Sequence, residues 1–148
     1  PTRPEQSKTV AQKLGIKEHA LTYFVNAPQE VVEALQLPDV EVVKTSKGDL
    51  DYIHLFVKQQ SEQEAIFPAL KKLLKLDGML WVSWPKAGKL NTDLSLPKVI
   101  KIGYTFGLVE STCLSVNETW SALKFTHPKK GKEYNNSHAK LKSRTTNR

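Results

Sequence analysis

The chain has 148 residues, a single cysteine (Cys113) and a formal net charge of +7. That length suits one domain able to bury a core without cross-links, and one cysteine excludes an internal disulfide. No apolar run approaches the ~20 residues a membrane helix needs, and Pro1–Gln6 carries no apolar signal region, so no membrane contact and a cytoplasmic location are expected.

The charge is uneven. Seven Lys/Arg and one acid fall between Lys129 and Arg148, so this segment carries +6 and residues 1–128 are nearly neutral. The chain therefore divides into a single α/β domain over 1–128 and a basic tail over 129–148, expected to be disordered. Residues 1–8 are polar and proline-containing, a loose lead-in.

Thr9–Leu14 reads as one or two helical turns with Val10 and Leu14 on one face, stopped at Gly15. Leu21–Val25 is β-branched and aromatic, hence a strand. It ends at Asn26-Ala27-Pro28. Pro28 suits the first position of a helix, capped by Asn26 or Ala27. Val31, Val32 and Leu35 give that helix its apolar stripe, and Pro38 ends it. Val40–Val43 is a second strand, followed by a turn at Lys47-Gly48-Asp49.

Asp51–Val57 is a third strand, apolar on both faces after Tyr52, as a central strand covered on both sides should be. Ser61 and Glu64 match a capping box. The helix behind them carries Ile66, Phe67, Leu70, Leu73 and Leu74. Pro68 inside it predicts a kink or a later start. Asp77-Gly78 reads as a turn into a fourth strand, Met79–Trp84. Ser95 and Pro97 open another helix, with Val99, Ile100, Gly103 and Phe106 on one face and Gly107 as its stop. Thr112–Val116 and Trp120–Phe125 form a hairpin across Asn117-Glu118-Thr119.

The order β-α-β-β-α-β-α-β-β predicts a three-layer α/β fold. Its sheet has about six strands, mostly parallel, with a C-terminal antiparallel hairpin.

Two resemblances follow. Asp51–Val57, the helix ending Leu73–Gly78, Met79–Trp84, and Gly107-Leu108-Val109 with the hairpin to Phe125 resemble the second half of a class I S-adenosylmethionine-dependent methyltransferase. The resemblance implies a truncated, Rossmann-like fold. Through about His127, the chain is also similar to an uncharacterised bacterial family known only as a domain of unknown function. The residues carrying this are Leu14–Lys17, Asn26-Ala27-Pro28, Leu55-Phe56-Val57, Asp77–Lys86, Gly107-Leu108-Val109 and Trp120–Phe125. It implies no activity.

The methyltransferase family has a glycine-rich loop after its first strand and an acid closing its second. Here those places read Asn26-Ala27-Pro28 and Val43-Lys44. The leading expectation is therefore a non-catalytic Rossmann-like domain that binds a small ligand or a protein and needs no cofactor. A divergent S-adenosylmethionine-dependent methyltransferase is the alternative, with the donor over Asn26 and near Trp84.

Open α/β sheets bind ligands beyond the carboxyl ends of their strands. Asn26-Ala27-Pro28, Lys58-Gln59, Trp84-Pro85-Lys86 and Thr92-Asp93 should converge there. Trp84 could stack on a ring, Lys86 could meet an anion, and Asp93 could orient a hydroxyl. Glu118 could reach the pocket as an acid or base. The plainer assignment leaves Asn26 and Ser95 as helix caps, packs Trp84 at a sheet edge, and solvates Lys86 and Asp93. It makes Glu118 a turn residue with Trp120 in the core.

His19, His54, His127 and His138 are scattered, with no metal-ligand spacing among them or to Cys113. His54 reads as a strand residue and Cys113 as a small core residue. In the tail, Lys129, Lys130, Lys132, Lys140, Lys142 and Arg144 could make weak, salt-sensitive contacts to nucleic acid, or could serve only to solubilise the chain.

Overall fold

The computed structural model describes residues 9–43, 48–128, 134–135 and 140–141. Helix α1 (Val10–Leu14) starts at a capping box between Thr9 and Gln12 and ends at Gly15 in the left-handed region. Strand β1 (Leu21–Val25) follows, then α2 (Gln29–Ala34), whose N-cap position is Pro28. Pro28 thus sits one residue earlier than predicted, outside the helix. Neither Asn26 nor Ala27 is the cap.

Strand β2 (Glu41–Val42) is short and exposed. Strand β3 (Leu50–Phe56) is buried at every position but Asp51, as the sequence led us to expect of a strand covered on both faces.

Helix α3 (Gln60–Leu73) begins at a capping box between Gln59 and Glu62, not between Ser61 and Glu64. Two residues separate the alternatives, and Glu62 is the carboxylate that reaches back. Its Oε1 accepts from the backbone N–H of Lys58 at 2.7 Å and of Gln59 at 3.0 Å. The helix runs through Pro68 rather than starting after it. Pro68 simply leaves the Glu64 carbonyl without its helical donor.

Strand β4 (Leu74–Pro85) begins directly at the helix end. Asp77-Gly78 is therefore not a turn before the strand. It belongs to an irregularity within it, since Leu50 pairs with Leu74 and Tyr52 with Met79. Three extra residues are accommodated there on β4, and Gly78 is the one pressed inward. A Cβ on it would lie 2.7 Å from the Leu50 carbonyl oxygen and 3.1 Å from that of Asp51.

Helix α4 (Leu96–Thr105) starts at Ser95 with Pro97 in its first turn. Ser95 makes no side-chain cap bond. Strand β5 is Val109–Ser115 and β6 is Trp120–Thr126, so β5 starts earlier than predicted. Cys113 is exposed on β5 rather than held in the core.

The sheet order is β2-β1-β3-β4-β6-β5. The first four strands run parallel, and β6 enters antiparallel between β4 and β5. The α3 and α4 side buries Phe67, Leu70, Val99 and Ile100 against Ile53, Leu55, Leu80, Val82 and Phe125. The α1 and α2 side buries Leu14, Val31 and Leu35 against Tyr52, Phe56, Trp81 and Trp120. Two buried faces make three layers, as predicted.

Trp81 fastens α1 to the sheet, its indole N–H donating to the Leu14 carbonyl at 2.9 Å. In the tail, strand β7 (Tyr134–Asn135) pairs antiparallel with β8 (Lys140–Leu141). Lys129, Lys130, Lys132, Lys142 and Arg144 lie outside the described residues, as does His138. No helix among the described residues is long and apolar enough to cross a membrane.

Candidate functional site

A cavity of about 690 Å³ opens at the carboxyl ends of β1 and β3. One wall comes from the β1–α2 connection, through Asn26, Pro28, Glu30 and Val31. Asn26 holds φ at 58° there. Asparagine is the residue other than glycine that adopts this left-handed conformation most readily, because its amide hydrogen-bonds locally. The connection thus turns without a glycine.

The end of β3 supplies Phe56, Val57 and Lys58, with Glu62 from the first turn of α3. The β5–β6 turn supplies Asn117, Thr119 and Trp120, and Leu90 stands on the segment after β4. That segment is built from left-handed residues, Ala87, Gly88, Leu90 and Asn91. It is tied to both sides of the cavity. Lys89 Nζ donates to the Glu118 carbonyl at 3.0 Å and Gln59 Nε2 to the Asn91 carbonyl at 2.9 Å. Thr92 Oγ1 donates to the Lys58 carbonyl at 2.5 Å.

Beneath the cavity runs a buried polar chain. Tyr52 Oη meets His54 Nδ1 at 2.8 Å, and His54 Nε2 meets Ser83 Oγ at 2.7 Å. Burial pushes the His54 imidazole down to about 3 and the Tyr52 hydroxyl up, because both would carry charge where no water reaches. The neutral imidazole stacks on Phe56 with ring centroids 4.5 Å apart, and Phe56 meets Trp120 edge-on at 5.1 Å. The two aromatic residues of the wall therefore rest on a packed, fully bonded support.

Of the five residues singled out for ligand binding, Asn26 lines this cavity and the other four do not. Trp84 lies in the core on the α3 and α4 side, 5 % exposed. The strand alternation puts it with Leu80 and Val82, facing away from stacking distance of any ligand. Lys86 fastens the end of β4 to the hairpin: its Nζ donates to Ser115 Oγ and its backbone N–H to the Thr119 carbonyl. The Asp93 carboxylate accepts from the Gln60 N–H at 2.7 Å and so caps α3. Glu118 is exposed at the turn. Among the described residues no cluster of His, Cys, Asp and Glu could hold a metal ion.

Glu30, Glu62, Asn117 and Thr119 were not singled out from sequence. The Lys58-Gln59 and Asn26-Ala27-Pro28 segments were, by the rule that ligands sit beyond strand carboxyl ends. Asn117 carried a usable signal, an Asx residue two places before Thr119 in a three-residue turn.

No protein-family model matches the chain. No curated protein matches it either. Solved structures do. A SAM-dependent methyltransferase from Aquifex aeolicus superposes with a TM-score of 0.51 at 17% identity, over 82% of this chain and 88% of that one. The 1,6-didemethyltoxoflavin-N1-methyltransferase of Burkholderia thailandensis gives 0.57 at 9%, over 78% and 73%. Magnesium protoporphyrin IX methyltransferase from Synechocystis PCC 6803 gives 0.53 at 13%, over 79% and 78%. The fold is a Rossmann-like methyltransferase fold. At these identities the likeness is one of fold, and the hairpin β5–β6 beside β4 is its antiparallel ending.

Proposed function

We propose that the chain is a divergent methyltransferase that binds S-adenosylmethionine in the 690 Å³ cavity and methylates a small acceptor. One observation carries this reading: the first-strand loop is not packed shut. Asn26 and Pro28 line open space at the place where this fold accepts its ligand. The donor is an amino acid joined through a sulfonium to adenosine, and the wall chemistry fits it. Glu30 and Glu62 offer carboxylates to its cationic centres or ribose hydroxyls. Lys58 offers a cation to its carboxylate. Asn26 offers an amide, and Val31 and Val57 offer apolar surface.

The donor, when bound, supplies an electrophilic methyl group. The chain's task is then placement, which alone can account for a large share of rate enhancement in a two-substrate reaction. Phe56 and Trp120, held by the buried chain below them, give the site a rigid wall. Leu90 and the segment around it cover part of the opening and limit water.

The glycine-free loop favours a second reading, a non-catalytic domain binding a different small ligand in the same cavity. Calorimetric titration with S-adenosylhomocysteine separates the two. Micromolar binding, weakened about tenfold by Asn26→Gly, supports the methyltransferase; tenfold is the loss of one modest hydrogen bond. Gly keeps the left-handed backbone and removes only the amide. Absence of heat at millimolar ligand overturns the proposal and leaves the non-catalytic domain.

A further inference from the structure

The cavity has two chemically different ends. The end beside β1 and α3 carries both lining carboxylates, Glu30 and Glu62. The end under the β5–β6 turn carries none. Its lining polar side chains are Asn117, Thr119 and Trp120.

The amide of Asn117 is fixed in orientation. Its Oδ1 accepts from the backbone N–H of Thr119 and of Trp120, each at 2.8 Å. Only the oxygen can accept two N–H donors, so the group left over is Nδ2, a pure donor. The Trp120 indole is also donor-only. Its N–H has no partner among the described residues, and neither has the Thr119 hydroxyl. Phe56 stands beside them, edge-on to Trp120. This end therefore combines aromatic surface with three groups able to donate, and no carboxylate lines it, the Glu118 side chain of the turn standing outside the lining.

We infer that this end takes the methyl-accepting substrate, and that the substrate is a planar aromatic or heteroaromatic ring whose edge bears hydrogen-bond-accepting oxygen or nitrogen. Asn117 is its specificity-determining residue. The inference rests on the methyltransferase reading for the word substrate, but the pocket chemistry stands on its own. A site with donors waiting for partners rejects a ring that lacks them, because the donors are then desolvated unpaired. An ammonium-bearing ring meets like-poled dipoles instead.

The test is ligand-observed saturation-transfer NMR on the full chain, with 4-hydroxybenzoate as the probe and cyclohexanecarboxylate and benzylamine as controls. S-adenosylhomocysteine is titrated separately. The decisive variant is Asn117→Asp. It keeps an oxygen for the two backbone N–H groups of the turn and replaces the Nδ2 donor with a second oxygen. The expected result is 4-hydroxybenzoate binding stronger than either control and weakened at least about tenfold in Asn117→Asp, with S-adenosylhomocysteine affinity unchanged. Trp120→Phe, which removes one N–H and keeps an aromatic ring, should weaken the probe as well.

Benzylamine binding as well as 4-hydroxybenzoate, or indifference of the probe to both variants, overturns the inference. Binding of S-adenosylhomocysteine without any aromatic probe also overturns it, while leaving the methyltransferase standing. Aromatic binding without S-adenosylhomocysteine supports the pocket chemistry and removes the methyltransferase.

Discussion

Replacing Gly103 with alanine sets two physical effects against each other. Gly103 lies inside α4, where alanine is favoured over glycine by ~1 kcal/mol. Propensity alone therefore predicts a more stable protein. The packing predicts the reverse. A Cβ at position 103 would fall onto Phe125, lying 2.5 Å from Cζ and 2.8 Å from Cδ1. Carbon atoms pack at about 3.5–4.0 Å, so the ring must withdraw by about 1 Å or more.

Phe125 has no exposed surface, and its ring already meets Phe67 edge-on at 5.3 Å. Overpacking of a filled core costs about 1–3 kcal/mol, and encroachment on several ring atoms belongs at the top of that range. The net expectation is a loss of ~2 kcal/mol, or roughly 5–8 °C in Tm for a chain of this size. Urea unfolding followed by circular dichroism measures it. The double variant Gly103→Ala with Phe125→Leu should show a coupling of about 1 kcal/mol or more in the direction of relief. A single variant as stable as the parent, or more so, would refute the close packing of α4 on β6.

Three further outcomes are expected. His54 is held neutral, its pKa taken from the ordinary 6.5 to about 3. The unfolded chain binds a proton between those values that the folded chain does not. Stability should therefore be full above about pH 6.5 and fall by about 1.4 kcal/mol per pH unit below it. Urea midpoints between pH 4 and 7 test this, and His54→Gln should remove that contribution from the slope. Asp93→Ala removes the cap on the Gln60 N–H and should cost ~1 kcal/mol, with faster amide exchange confined to the first turn of α3; uniform exchange changes would contradict it. Trp81→Phe leaves the Leu14 carbonyl without its indole donor and should cost about 2 kcal/mol, with α1 amides exchanging first.

The strands were legible because β-branched and aromatic runs are a local signal. Leu21–Val25 and the β6 run from Trp120 appeared where the pattern put them. Asp77-Gly78 misled because the pair that marks a turn also suits a strand irregularity, and the choice depends on how close the Leu50 carbonyl passes. Trp84 misled for a related reason. Trp81 and Trp84 are three apart, so strand alternation puts them on opposite faces, and both faces of this sheet are covered.

The cavity's first wall was readable from the end of β1. Its second was readable only in part: the Asn117-Glu118-Thr119 turn was expected to approach the pocket, but through Glu118 rather than through Asn117, Thr119 and Trp120. Those three reach the cavity because β6 inserts between β4 and β5, and that sheet order is a long-range outcome.

The two edges of the sheet have a consequence for life at high concentration. An open strand edge is a template on which another chain can grow. Here β2 offers only Glu41–Val42 at one border, too short a run to recruit a neighbour. At the other border β5 breaks step between Glu110 and Cys113, and its outward residues there are Ser111, Thr112 and Cys113. A strand with a bulge and a polar outer row is a poor seed for cross-β growth. Among the described residues, neither border of the sheet offers a long, flat edge for another strand to join.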